Sequence, residues 1–384
     1  MKTTRPIRQG VLGASLFLLM GSAYGQDPRP AKIPSLDAAA SEGFFFAGGH
    51  YVGEPGKQVM EGAMFVEVFR PRKVTQRYPL VFFHGAAQTG LNWLGTPDGR
   101  KGWAEFFLEK GYVVYLIDQP ARGRSAYHPA IDGNLATFPA QVIEKLFTDP
   151  EDLGSWPQAK THSQWPGRGP NKGKIGDPVF DAFYATQVEF LASNVTTQKL
   201  VQDAGAALLD RIGPAILVTH SQAGAFGWLI ADVRPKLVKG ILAVEPLGPP
   251  FQDAVLADGK ARAWGPTDIA ISYDPPVHDP AEIKVEQQAK PDAPDLSACW
   301  VQQEPARKLK NLVGIPTLII SGESSYHAVY DHCTAKFLSQ AGVHVDYQRL
   351  ADHGIHGNGH MMMLEKNNIA IAGFLDTWAR KNIK

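Results

Sequence analysis

Thr219-His220-Ser221-Gln222-Ala223-Gly224 lies between two apolar runs, AILVT at 215–219 and AFGWLIADV at 225–233. The first run reads as a buried strand and the second as a helical segment. A serine on so tight a strand-to-helix turn needs small neighbours two residues to either side, because the strained turn brings those backbones together. Thr219 and Ala223 meet that need, although the common Gly-x-Ser-x-Gly pattern would place glycine at both positions. The turn also aims the backbone N–H of Gln222 at the start of the helix, a placement suited to a developing oxyanion. Ser221 is therefore the candidate nucleophile.

The rhythm on either side agrees. Residues 43–70 carry two apolar runs, FFFAGGHYV and GAMFVEVFR, that read as a strand pair near a sheet edge. YPLVFFHG (78–85) is a buried strand, GWAEFFLEKG (102–111) a helix with a glycine stop, and YVVYLIDQP (112–120) the next strand. TQKLVQDAGAALLDRIG returns the chain to the sheet ahead of the serine strand. VKGILAVEP, IPTLIISGE and VHVDYQRL follow as strands, and MMMLEKNNIAIAGFLDTWARK as a closing helix. Apolar strands alternating with helices predict an α/β fold, with a mostly parallel central sheet covered on both faces. Residues 121–195 and 247–310 lose this pattern and read as insertions, the first with a short helix around 140–147. In open α/β sheets ligands bind at the end from which such stretches emerge, so together they form a plausible cap.

The chain has 384 residues, 44% hydrophobic and 20% charged, enough for a large globular domain. Lys+Arg and Asp+Glu are both 38, a balance that argues against a nucleic-acid partner and against polyanionic substrates. Lys2, Arg5 and Arg8 precede the uncharged run VLGASLFLLMGSAYG, which ends in small residues at Ala23 and Gly25. Residues 1–25 thus read as a signal peptide cleaved before Gln26, leaving an α/β domain at 26–384 and a periplasmic or secreted protein. The run is short for a membrane span, and no other stretch reaches that length. In an oxidising compartment the two cysteines, Cys299 and Cys333, suggest one disulfide.

A serine hydroxyl needs a base, and that base needs a carboxylate. Late in the chain, DHGIHGNGH (352–360) offers His353, His356 and His360. Glu245 ends one strand and Glu323 the next, and both strand ends are within reach of a histidine loop crossing above. Pattern alone leaves both acids and all three histidines open. The second oxyanion donor is expected after His84-Gly85, at the backbone N–H of Ala86. His84 itself reads as a residue that positions this loop. A histidine base implies a rate rising with pH through a group near the ordinary pKa of ~6.5. Trp93, Trp156, Trp165, Trp264 and Trp300 lie in loops or in the cap stretches, where packing is the main expected role.

The runs HGAAQTGLNW, IDQPARGRS, THSQAG, VEP and GIHGNGHMM, in this order, resemble the α/β-hydrolases. More narrowly they resemble a small group of secreted bacterial esterases, over the chain from about residue 43 to its end. The resemblance implies an ester hydrolase with a Ser-Glu-His triad whose acid follows the strand after the nucleophile strand. That selects Glu245 as acid and His360 as base, with Ala86 and Gln222 as oxyanion donors. The group carries adjacent cysteines where this chain has Ala86-Ala87; a backbone donor does not depend on its side chain, but substrate preference does not carry over. No cofactor or metal is implied, the partner is a small-molecule ester, and a homodimer is left open. Amide or lactone hydrolysis would use the same groups, and an inactive binding protein of this fold is the alternative of another class.

Overall fold

A computed structural model describes residues 34–384; the signal segment read at 1–25 lies outside the described residues. The central sheet has eight strands: β1 (Ala39–Ala47), β2 (Met64–Pro71), β3 (Leu80–Phe83), β4 (Val114–Asp118), β5 (Ala215–Ser221), β6 (Val238–Pro246), β7 (Thr317–Ser321) and β8 (Val345–Arg349). Their spatial order is β1-β2-β4-β3-β5-β6-β7-β8. From β4 onward every neighbouring pair is parallel, whereas β2 runs antiparallel to both β1 and β4. The strand pair expected from residues 43–70 is the β1–β2 ladder at one edge.

Alternation along the strands places side chains on both faces, and both faces are covered. From β3, Leu80 and Phe82 join Trp93, Trp103 and Phe107 in one core, while Val81 and Phe83 join Phe226, Trp228 and Leu208 in the other. Helices α1 (Trp103–Glu109) and α5 (Asn368–Asn382) lie on the first face; α2 (Asn194–Ile212) and α3 (Gly224–Val233) lie on the second. Helix α4 (Asp331–Gln340) leads from β7 to β8. Three of the loop tryptophans, Trp93, Trp156 and Trp165, are buried.

One element differs from expectation. The closing helix starts at Asn368, not near Met361. Residues 361–367 form turns because their carbonyls are taken from outside: the Arg100 guanidinium donates to the oxygens of Leu364 (2.7 Å) and Glu365 (2.9 Å). Their apolar side chains, Met361, Met362 and Met363, are buried nonetheless, so the sequence carries a helical-looking apolar run without a helix.

The stretch 121–195 folds as short helices around a two-stranded ladder, including a helical turn at Ala140–Ile143 that continues as a π-helix at Glu144–Thr148. The stretch 247–310 is mostly irregular, with the two-stranded ladder Val285–Gln287 and Trp300–Gln302. Cys299 and Cys333 are disulfide-bonded, tying this stretch to α4. Among the described residues no helix is long and apolar enough to cross a membrane.

Candidate active site

Ser221 is the last residue of β5 and has φ 56°, a left-handed conformation that a side chain other than glycine adopts only under constraint. The constraint is steric and local. Gly85 and Gly224 bring two backbones against the turn: a Cβ on Gly85 would lie 2.9 Å from Ser221 Cβ, and one on Gly224 would lie 2.4 Å from Pro246 Cβ. The Ser221 carbonyl accepts the N–H of Leu247 at 2.8 Å, locking the turn to the end of β6.

Glu245 sits at that end in a bulge. Val244 pairs with His220 and Pro246 with Ser221, so Glu245 is the extra residue, with φ 46°. Such a bulge redirects a side chain. Glu245 is fully buried, and Oε2 lies 2.5 Å from His360 Nδ1. Its other partners are the Gly322 N–H on Oε1 and the Ser325 hydroxyl on Oε2, both at 2.7 Å. Burial raises the Glu245 carboxyl well above the usual carboxylate range, helped by the nearby charge of Asp331 and opposed by those two donors.

His360 is buried among rings. His327 stacks on it at 4.7 Å and 7°, and His220 and Tyr326 lie 4.5 and 4.9 Å away. Burial, then repulsion from His220 and His327, lowers its pKa well below the ordinary value. Thus the ring is neutral near pH 7 and able to accept a proton. The Tyr326 hydroxyl is 3.4 Å from His360 Nε2.

Ser221, Gln222, His360, Gly85 and Ala86 line one cavity of ≈ 260 Å³. Its apolar walls come from both insertions, with Phe138, Phe147 and Phe190 from the first and Leu256 from the second. The structure therefore gathers five residues proposed from sequence: Ser221, Glu245, His360, Ala86 and Gln222. Glu323 stands apart, accepting the Gly357 N–H at 2.7 Å beside the exposed His356. His353 is also exposed, against Phe374.

Several neighbours had no signal in the sequence. Arg122 is buried, donating to the Gly85 carbonyl at 3.0 Å and the Gln222 side chain at 3.3 Å, so one guanidinium braces both turns that carry the candidate oxyanion donors. Burial lowers its pKa to about 9 despite Asp118. Unlike Arg122, His84 is legible in the sequence as a loop-positioning residue; it too is buried, and its pKa is lowered to about 3 by burial and then by Arg122. It accepts the Gln119 N–H on Nε2 at 3.3 Å, which agrees with a role in positioning the loop. Ser325, Tyr326 and His327 belong to an ordinary-looking polar loop, and only the β7-to-α4 connection brings them under His360.

A mostly parallel sheet with one reversed strand, a serine held at φ > 0 where strand meets helix, and a buried acid–imidazole pair above the strand ends define a hydrolase architecture. Residues 80–373 match the model of the alpha/beta hydrolase family, and the chain belongs to that family. It is 46% identical over 385 residues, 97% of each chain, to a protein from Fungal sp. (strain ATCC 74256) named probable secreted lipase phiG. Among solved structures it is similar to one titled "The Atomic Resolution Structure of a Novel Bacterial Esterase", with a TM-score of 0.59, 22% identity, and coverage of 90% of this chain and 96% of that chain. At that identity the likeness speaks to the fold alone.

Proposed function

We propose that this protein is a secreted serine esterase that cleaves small carboxylic esters through an acyl-enzyme. The observation that carries the reading is the buried 2.5 Å contact of Glu245 with His360 at the cavity that also holds Ser221. His360 takes the Ser221 proton as the hydroxyl oxygen attacks the ester carbonyl carbon. The N–H groups of Ala86 and Gln222 hold the resulting oxyanion, and Glu245 stabilises the imidazolium. Collapse breaks the ester C–O bond, and the leaving alcohol takes the proton from His360. Water, deprotonated by the same ring, then frees the acid.

The relative named a secreted lipase supports ester chemistry and export. The disulfide, rare in reducing compartments, and the signal-like segment at 1–25 support export as well. The aromatic cavity walls favour an apolar acyl group.

The test is a panel of p-nitrophenyl esters of increasing chain length, run beside amides and lactones, with fluorophosphonate labelling. Ser221→Ala should lose both hydrolysis and labelling while keeping its fold by circular dichroism. A folded Ser221→Ala protein with full activity would overturn the reading.

A further inference from the structure

His162 follows the short helical turn Pro157–Thr161 in the first insertion, and its side chain is completely buried. Nδ1 lies 2.5 Å from Glu151 Oε2 and Nε2 lies 2.8 Å from Glu365 Oε1. An imidazole donates to two carboxylates at once only when both nitrogens carry protons. Burial works to lower its pKa, but the hydrogen bonds and charges of Glu151 and Glu365 outweigh burial and raise it to about 9. The surrounding charges are Lys172 on Glu151 at 2.6 Å, Lys366 and Asp149 nearby, and Arg100 on the Glu365 backbone.

Glu365 is the link to the triad loop. The carboxylate that faces His162 also accepts the Gly359 N–H at 2.9 Å and the Asn358 amide at 2.6 Å, the two residues immediately before His360. The His162 ring presses on that backbone: a Cβ on Gly359 would lie 3.2 Å from His162 Cδ2 and Nε2. Beside it, the Ser163 N–H donates to the Gly357 carbonyl at 3.0 Å and the Lys366 N–H to the Gln164 carbonyl at 2.9 Å. The insertion and the histidine loop are thus stitched together around one buried ring.

We propose that His162, as an imidazolium held between Glu151 and Glu365, is a positioning residue that anchors the loop 357–365 to the first insertion and thereby sets the place of His360. The inference rests on the reading of His360 as the base. It implies an alkaline limit. The folded-state pKa of His162 lies above its ordinary value, so its stabilising contribution is fully present below about 6.5 and is lost as pH rises through about 9. A neutral ring can donate to only one carboxylate, so one of the two hydrogen bonds that join the insertion to the histidine loop is lost.

The experiment measures kcat and KM of the full chain from pH 6 to 10 on a p-nitrophenyl ester, for the unaltered protein, His162→Gln and Ser221→Ala. The unaltered protein should lose kcat reversibly with a midpoint near pH 9, with its near-UV circular dichroism retained. His162→Gln should lose up to ~10²-fold in kcat at pH 7, with KM nearly constant and the alkaline limb gone. A kcat that stays flat to pH 10 in the unaltered protein, or a His162→Gln enzyme with normal kcat and profile, overturns the proposal. Should His162→Gln not fold, ring-¹⁵N NMR of the unaltered protein decides. One buried histidine charged at pH 7 supports the clamp, and all buried rings neutral at pH 7 overturns it. An active Ser221→Ala protein would instead sink the triad reading, and the ring titration would still report on the clamp.

Discussion

Ser221 and Glu245 occupy left-handed backbone conformations on adjacent strands, each at a cost of about 1–3 kcal/mol. Strain at both residues of one site is understandable if each must aim its side chain, and Glu245 aims its carboxylate at His360. Glu245→Gln should therefore lower kcat by orders of magnitude, while Glu323→Gln, on a carboxylate engaged with Gly357 and His356, should change it little; steady-state kinetics on the two variants checks this. The sequence expectation of a rate rising through ~6.5 is modified by burial. With His360 lowered by desolvation, His220 and His327, its base form persists to lower pH. The acid limb of kcat/KM should accordingly fall clearly below 6.5. Sequence pattern by itself left three histidines and two acids open here, because which strand end a distant loop meets is not a local property. The resemblance selected Glu245 and His360, and these are the two that the fold brings into contact.

At the scale of elements, the strand-to-helix turn was legible because its demands are local. Thr219, Ala223 and Gly224 are small where backbones approach, and the apolar runs on either side have strand and helix lengths. Gly224 touches the end of β6 most closely, so Gly224→Ala should destabilise the protein by about 1–3 kcal/mol in urea unfolding, through overpacking against Pro246. The start of the closing helix was not legible. Residues 361–367 have a helical apolar pattern, yet Arg100, more than 260 positions earlier, takes their carbonyls and holds them as turns. A donor so far away in the chain leaves no trace in the local period.

For the molecule as a whole, the two insertions build the walls of the cavity from residues with no shared motif. The second is tied down by Cys299–Cys333, with a sequence separation of 34. A loop of that size implies a stabilisation of about 3–4 kcal/mol. The Cys299→Ser/Cys333→Ser double variant should lower Tm in a thermal melt; an unchanged Tm would show that the bridge adds nothing to the folded state.

The sequence by itself determined the sheet, the order of its strands along the chain and the serine turn. These follow from hydrophobic period and from the sterics of neighbouring residues, which act over a few positions. Tertiary structure decided the long-range contacts around Ser221: the bulge that turns Glu245 toward His360, Arg122 bridging the turns at Gly85 and Gln222, and His162 between two carboxylates. Each is a contact between residues distant in sequence, made specific by burial. Removing charged and polar groups from water forces them to find partners, and only the assembled fold fixes which ones are near.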